Sequence, residues 1–248
     1  MHTKSKPALV LLHGFCENNT LWDHIIPKLS YSGQIIAPNL PGFGGEPLTL
    51  EHFTLTDIAT KIHTHLVNLE VNSCICIGHS LGGYISLALK KLYPEFVIKV
   101  GLLHSSAYAD TIEKKEARNK LIILLNNQST TTFLSSFVPS LFSDTNKEAL
   151  KSEIKKVIKM SDGLEAKTIQ SYAKAMRDRE DNIDILTKEG SFLFIAGEYD
   201  NAVPIEISRN QIDILKDKTN SYLLKKVAHM GMYESPYTVI EAFNNYIK

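Results

Sequence analysis

The sequence of 248 residues has few cysteines and no excess of either charge. Its three cysteines, Cys16, Cys74 and Cys76, cannot all pair in disulfides, so we expect a reduced, cytoplasmic protein. Lys plus Arg and Asp plus Glu number 27 each. Because this balance creates no net field that would attract nucleic acid or an anionic membrane, we expect neither as a partner.

Long apolar runs are also absent, which argues against a membrane-spanning helix. The N-terminal stretch MHTKSKPALVLLHGF has no small-residue cleavage site, so we expect no signal peptide. Cys74 and Cys76 are spaced like metal ligands, but no other cysteine and no spaced histidine pair completes a site. The sequence therefore predicts no metal and no cofactor. The expected partner is a small-molecule substrate, bound by a monomer or a homodimer.

What the chain does contain is an alternation of short apolar segments with amphipathic ones. The segments that read as strands are 8–14, 33–40, 73–80, 98–105, 191–198 and 221–228. The segments between them that read as helices are 20–31, 55–70, 81–93, 205–216 and 236–247. Five of the six strand segments lack polar alternation, which is typical of parallel strands covered on both faces. The prediction is an α/β fold with a doubly wound, mostly parallel sheet.

Residues 108–188 interrupt this alternation, because they contain no credible strand and read as four amphipathic helices. Such a segment is too long for an ordinary connection between two parallel strands. We therefore predict a core formed by residues 1–107 and 189–248, with 108–188 inserted as an all-helical lid over the ends of the sheet. The charged run RDRED at 177–181 is expected to lie in solvent.

The segment ICIGHSLGGY carries the first candidate for chemistry. Ser80 stands in the frame Gly-x-Ser-x-Gly between a predicted buried strand and a predicted helix, which is the setting of a nucleophile elbow. Glycines on both sides would let strand and helix approach closely while the turn exposes the hydroxyl. On this segment alone, a tight turn with an incidental serine is the alternative.

A serine hydroxyl needs a base, and the base needs a carboxylate to orient it. Asp200 follows the predicted strand FLFIAGE, and His229 follows the last predicted strand. The order Ser80, Asp200, His229 is the chain order of one known type of catalytic triad. Glu198 is the rival acid, although its place directly at the strand end gives it a poorer reach to a histidine.

An oxyanion hole requires two backbone N–H groups that point at one site. Leu81 can supply one from the first turn of the helix after Ser80, and Phe15 can supply the other from the loop LLHGF. We also expect the ring of Phe15 to form a wall of the substrate pocket. His104, at a predicted strand end, and Phe133 and Phe137, on an apolar stripe in 108–188, are further candidates for substrate binding.

With these landmarks in order, the sequence resembles the α/β-hydrolase superfamily along nearly its whole length. The matching segments are LVLLHGF, LWDHIIPKLS, IIAPNLPGFGGE, ICIGHSLGGYISLALKKLYPEFV, FLFIAGEYDNAVP and VAHMGMYESP. The resemblance implies an oxyanion turn at HGF, a nucleophile elbow at GHSLGG, an acid loop at GEYDNAVP and a base in AHMGMYESP. Two departures are Asn39, where the family often has Asp, and the apparent absence of the family's two antiparallel edge strands.

The predicted function is hydrolysis of a small, largely uncharged ester or related acyl compound through an acyl-enzyme on Ser80. Carbon–carbon bond hydrolases of the family share the same triad and remain an alternative. A synthase-like lyase of menaquinone biosynthesis is similar in size, but such proteins carry Arg four residues after the serine, where this chain has Tyr84. A hydrolase-fold sensor of small molecules with little turnover is the alternative from another class of protein.

Overall fold

The computed structural model describes residues 6–50, 52–188 and 192–248, and in them a single sheet of six strands. The strands are β1 (Ala8–Leu12), β2 (Ile35–Ile36), β3 (Cys74–His79), β4 (Val97–Leu103), β5 (Phe192–Gly197) and β6 (Ser221–Leu224). Their order in the sheet is β2-β1-β3-β4-β5-β6, and each neighbouring pair is parallel. The predicted mostly parallel sheet is confirmed. Strand order reverses between β1 and β3, and parallel α/β sheets bind ligands beyond the strand ends at such a point.

Helices cover both faces of this sheet. They are α1 (Leu55–Asn68), α2 (Leu81–Leu92), α3 (Ile112–Leu124), α4 (Thr130–Ser140), α5 (Lys151–Met160), α6 (Ala166–Arg177), α7 (Ile183–Lys188), α8 (Ile205–Ile214), α9 (Gly231–Glu234) and α10 (Pro236–Tyr246). None of the helices in the described ranges is long and apolar enough to cross a membrane.

The strands are apolar throughout because successive side chains enter two different cores. In β1, Val10 and Leu12 belong to the core that contains the buried faces of α1 and α2. Leu9 and Leu11 belong to the second core, together with Phe243 of α10. Since side chains alternate across a strand, a sheet covered on both faces needs apolar residues at every position. The missing polar alternation is thus explained by packing.

The loop after β1 and the strand that follows it, β2, differ from the prediction. The segment expected as a helix at 20–31 forms two short 3₁₀ turns, Asn19–Trp22 and Ile26–Lys28. The strand expected at 33–40 pairs only at Ile35–Ile36. Prolines account for both differences, because Pro27 and Pro38 have no N–H to donate to a helix or to a strand ladder.

Helices α3 to α7 lie between β4 and β5, and the described residues of that segment contain no strand. Four helices were expected, so the short α7 is an addition. The expectation for the charged run was wrong at Arg179, whose side chain is only 5% exposed and pairs with Asp110. The boundary predicted at residue 189 and the strand start predicted at 191 lie outside the described residues. That this insertion acts as a lid remains a prediction.

Glycine allows the N-terminus of α2 to touch the end of β1. A methyl group on Gly82 would lie 2.3 Å from the carbonyl oxygen of Leu12 and 2.7 Å from that of His13. Both of these neighbours are backbone atoms, which cannot rotate away as a side chain could. The helix therefore sits against the strand end only because residue 82 lacks a side chain.

We expect Gly82→Ala to lower the free energy of unfolding by about 3 kcal/mol, because the added methyl group must push α2 away from β1. Urea unfolding followed by far-UV circular dichroism measures the change. Gly163→Ala is the comparison: Gly163 has φ of +77° but open space around it, so strain alone should cost about 1–2 kcal/mol. A Gly82 variant no less stable than the Gly163 variant would contradict the close contact.

Candidate active site

Three chemically complementary residues follow three parallel strands at the same edge of the sheet. Ser80 comes directly after β3, Asp200 follows β5, and His229 follows β6. Asp200 and His229 are buried, whereas Ser80 keeps partial exposure. The structure brings Oδ2 of Asp200 within 2.8 Å of Nδ1 of His229. This is the contact expected between the acid and the base of the predicted triad, whose catalytic role stays a prediction.

The turn that holds Ser80 is strained and fixed by several hydrogen bonds. Ser80 has φ of 50° and ψ of −113°, a backbone conformation that non-glycine residues rarely adopt. Its N–H donates to the carbonyl of Leu103 over 2.9 Å. Its carbonyl accepts from the N–H of Gly83 at 2.9 Å and from Oγ of Ser105 at 2.7 Å. Strain of this kind persists only where surrounding contacts impose it, and it is concentrated at functional sites.

Asp200 accepts four hydrogen bonds, two on each oxygen. Oδ1 accepts from the amides of Ala202 and Val203, both at 2.8 Å. Oδ2 accepts from His229 at 2.8 Å and from His104 at 3.2 Å. Burial alone would raise the pKa of Asp200, but the neighbouring His229 and the hydrogen bonds from both histidines hold that pKa well below its usual range. Asp200 is therefore an anion at every pH at which the protein would work.

The rival acid, Glu198, takes no part in this contact. Its side chain is exposed, and its Oε2 accepts a hydrogen bond from the N–H of Lys226 at 2.9 Å. The chain turns after β5 at Glu198 and Tyr199, and it is the carboxylate of Asp200 that reaches inward to His229.

His104 was expected to line the substrate pocket, and the structure corrects this. Its side chain is completely buried, with Nδ1 directed to Asp200 and Nε2 accepting from the N–H of Gly231 at 3.2 Å. His104 directly follows β4, with φ of 49°. Burial lowers its pKa from 6.5 to about 4. The sequence placed His104 at the correct sheet edge but could not show its direction.

A buried ion pair between Glu17 and His79 was not predicted from the sequence. Oε2 of Glu17 accepts from the N–H of Gly14 at 2.5 Å and lies 2.9 Å from Nδ1 of His79. Nε2 of His79 lies 3.0 Å from the carbonyl oxygen of His229. Because both partners of the His79 ring are acceptors, the ring carries a proton on each nitrogen. The signal that could have revealed the pair is an acid placed directly after the apolar residues Phe15 and Cys16 in the loop after β1.

The pKa values of this pair shift in the directions that an ion pair requires. Burial on its own would lower the pKa of His79, but the charge and hydrogen bond of Glu17 raise it above the ordinary value. Burial on its own would raise the pKa of Glu17, but His79 lowers it. The pair connects the loop after β1, the turn at Ser80 and the backbone of His229, and so ties three parts of the candidate site together.

The predicted oxyanion donors lie on either side of the turn. Phe15 belongs to the loop after β1, and Leu81 is the first residue of α2. Contact of Gly82 with the carbonyls of Leu12 and His13 brings the two segments together. The direction of the two amides is not decided by these contacts, so the oxyanion hole stays a prediction.

Aromatic side chains connect the loop after β1 with the helical insertion. The rings of Phe15 and Phe137 meet edge to face, with centroids 6.0 Å apart and planes at 79°. Phe133 stacks on Phe137 with centroids 5.0 Å apart. The three rings form an apolar group whose first member neighbours the proposed oxyanion turn. Their roles in substrate binding stay predictions.

One cluster of the described residues has a spacing that a cation could bridge. His104, Asp200 and His229 each offer a ligand atom, and these atoms lie within 4.8 Å of one another. However, Nδ1 of His104 and Nδ1 of His229 are both at hydrogen-bond distance from Oδ2 of Asp200. Protons therefore account for the arrangement, which fits a catalytic acid–base pair better than a set of metal ligands.

Comparison with known proteins agrees with this architecture. A family model described as alpha/beta hydrolase fold matches residues 7–236, so the chain belongs to the α/β-hydrolase family, as its motifs predicted. Among individual proteins, the chain is 27% identical to the uncharacterized hydrolase YugF of Bacillus subtilis (strain 168), over 98% of this chain and 90% of that protein.

Two solved structures share the fold over nearly the whole chain. One is a thermophilic esterase from Thermogutta terrifontis, with a TM-score of 0.89 and 21% identity over 98% of this chain and 90% of that one. The other is the enol-lactonase from Burkholderia xenovorans LB400, with a TM-score of 0.86 and 14% identity. The match covers 100% of this chain and 93% of that one. At such identities, the likeness establishes the fold alone.

The buried histidines predict how stability depends on pH. Burial lowers the pKa of His13 and of His104 from 6.5 to about 4. In the unfolded chain these two histidines become protonated below pH 6.5. In the folded chain they stay neutral until the pH falls to about 4. We expect the free energy of unfolding to fall as pH decreases through this window, by about 1.4 kcal/mol per pH unit for each histidine.

Urea unfolding at several pH values between 4.5 and 7 measures this slope. In a His104→Leu variant the slope should be smaller by about 1.4 kcal/mol per pH unit, the contribution of one histidine. Equal slopes in the two proteins, or a stability that does not change over the window, would contradict the neutral buried state of His104.

Proposed function

We propose that the protein is a serine hydrolase that cleaves a small, largely uncharged ester through an acyl-enzyme on Ser80. The observation that carries the proposal is the buried hydrogen bond of 2.8 Å between Asp200 and His229. It lies at the sheet edge where Ser80 ends a strained strand–helix turn. The family to which the chain belongs supports the same reading.

The proposed mechanism begins with His229 as general base. Because Nδ1 donates to Asp200, the proton of the neutral ring lies on Nδ1 and the lone pair lies on Nε2. That lone pair takes the proton of Ser80 as Oγ attacks the substrate carbonyl. Asp200 stays ionised and stabilises the imidazolium that forms, since its pKa is held far below that of an imidazole.

The amides of Phe15 and Leu81 then hold the negative oxygen of the tetrahedral intermediate. His229 returns the proton to the departing alcohol, which leaves the acyl group on Ser80. A water molecule, deprotonated by the same histidine, hydrolyses the acyl-enzyme and restores the serine. Each step uses only residues of this chain and water.

The surroundings support an apolar, uncharged substrate. Phe15, Phe133 and Phe137 offer aromatic surface for an acyl or alcohol group. Tyr84 stands where a charged side chain would hold an anionic substrate, and the guanidinium of Arg179 stacks over its ring at 4.0 Å. Arg179 and Arg118 both bind the single carboxylate of Asp110, so the guanidinium of Arg179 is engaged in this cluster, although one negative charge faces two positive ones. The printed names of two structural neighbours, an esterase and an enol-lactonase, are consistent with cleavage of an ester bond.

We expect Ser80→Ala to abolish hydrolysis of p-nitrophenyl acetate and butyrate and to prevent labelling by a fluorophosphonate probe, because no other group supplies the nucleophile. Ser135→Ala, at an exposed serine of α4, is the matched control and should keep both properties. Turnover of many equivalents by the native protein separates an enzyme from a sensor. Full activity or labelling in the Ser80 variant would refute the proposal.

Asp200→Asn should lower kcat by about 10⁴-fold while KM changes little, because the amide cannot stabilise the imidazolium of His229. Glu198→Gln is the control, since the exposed Glu198 accepts a hydrogen bond from the amide of Lys226, away from His229. Steady-state rates of both variants with the same ester decide between the two acids. Loss of activity in the Glu198 variant and its retention in the Asp200 variant would reverse the assignment.

A further inference from the structure

We propose that His104 is a positioning residue for the acid–base pair. Its Nδ1 donates to the same oxygen of Asp200 that accepts a hydrogen bond from His229, and this second bond fixes the orientation of the carboxylate toward the base. This inference rests on the proposed function, since it concerns how the residues of that site are held. His104 would act only through Asp200 and the loop of His229, without touching the substrate.

The backbone around His104 holds its ring in one place. His104 follows β4 directly, with φ of 49° and its N–H donating to the carbonyl of Ile195 at 2.7 Å. The side chain has no solvent exposure. A buried non-glycine residue in this backbone region is kept there by its surroundings, because the conformation is unfavourable in itself.

The hydrogen bonds identify which nitrogen carries the proton. The N–H of Gly231 donates to Nε2 at 3.2 Å, so Nε2 must present its lone pair. The proton of the neutral ring therefore lies on Nδ1, which faces Oδ2 of Asp200 at 3.2 Å. Burial lowers the pKa of His104 to about 4, so the ring is neutral and this tautomer persists at neutral pH.

His104 completes the set of donors around Asp200. Two backbone amides occupy Oδ1, and two imidazoles occupy Oδ2. A carboxylate with all of its acceptor positions filled cannot rotate without breaking a buried hydrogen bond. The oxygen that meets His229 is thus also held by a second donor, Nδ1 of His104.

The same ring also supports the loop that carries the base. Gly231 lies two residues after His229, and a methyl group on it would be 2.3 Å from Nε2 of His104. His104 therefore contacts the base loop through the amide of Gly231 as well as through Asp200. Removal of its ring would loosen both contacts at once.

The charges that face His104 allow a prediction for His229. The ring of His229 lies 5.7 Å away and that of His79 lies 6.1 Å away, both between centroids. Asp200 comes from the loop after β5, and Glu17 stands behind His79 as its counter-ion. Among these groups, His104 contacts only Asp200 through a hydrogen bond. Without that donor, the carboxylate of Asp200 would interact more strongly with the imidazolium form of His229 and so stabilise that form.

The test compares three substitutions at one position. His104→Asn keeps an N–H donor near the place of Nδ1, His104→Gln keeps an acceptor near Gly231, and His104→Leu keeps neither. Each is measured by the pH profile of kcat/KM with p-nitrophenyl acetate and by an NMR titration of the His229 side chain. Thermal unfolding reports whether each variant is folded, and if the Leu variant is not, the Asn and Gln variants decide.

We expect the Gln and Leu variants to lose about 10–100-fold in kcat/KM at pH 7, as when a supporting hydrogen bond to a functional group is removed. The loss should lie in kcat, with KM nearly unchanged, and the acid limb of the profile should move to higher pH. The Asn variant should recover most of the loss. An unchanged profile and titration in the Leu or Gln variant, or an Asn variant as impaired as the Gln variant, would overturn the proposal.

The two proposals fail in different ways. If the protein were not a serine hydrolase, the native chain would show neither ester turnover nor labelling of Ser80. The NMR titration of His229 needs no substrate, so it would still report whether His104 affects the base. If instead native turnover is found and His229 titrates identically in all variants, only the role of His104 is rejected.

Discussion

The arrangement of the candidate site depends on how closely α2 approaches the ends of β1 and β3. A methyl group on Gly82 would be 2.3 Å from the carbonyl oxygen of Leu12, and one on Gly78 would be 2.1 Å from the backbone of Gly82. Because the helix sits this close, the chain must reverse within one residue, and Ser80 takes its strained conformation there. The same contact brings the loop after β1 beside the serine, where an anion-stabilising turn is needed.

Two buried carboxylates organise what lies around this turn, and each is compensated by imidazole. Asp200 binds the ring of His229, whereas the Glu17–His79 pair binds the backbone carbonyl of the same residue. A buried charge without a partner would cost several kcal/mol. Separating either carboxylate from its imidazole is therefore unfavourable, which keeps these residues in place. The base is thus fixed at its ring and at its backbone by independent contacts.

Local patterns were sufficient where a feature depends on neighbouring residues. The strand core, the turn at Ser80 and the strand ends that carry Asp200 and His229 all follow from apolar runs, glycines and their order along the chain. Patterns failed where prolines removed hydrogen-bond donors, as in the short strand Ile35–Ile36. They also failed for Arg179, which stands in a charged run but is buried against Asp110.

The residue pattern alone thus established the α/β-hydrolase fold, and it predicted a serine, an acid and a base after three of the strands. It could not establish that Asp200 reaches His229 while Glu198 faces solvent, nor that Nδ1 of His104 meets the same carboxylate oxygen as His229. Periodicity shows which face of a strand is buried and where the strand ends. The direction of a side chain after that end depends on backbone torsions and on partners more than twenty residues away, which only packing in three dimensions brings together.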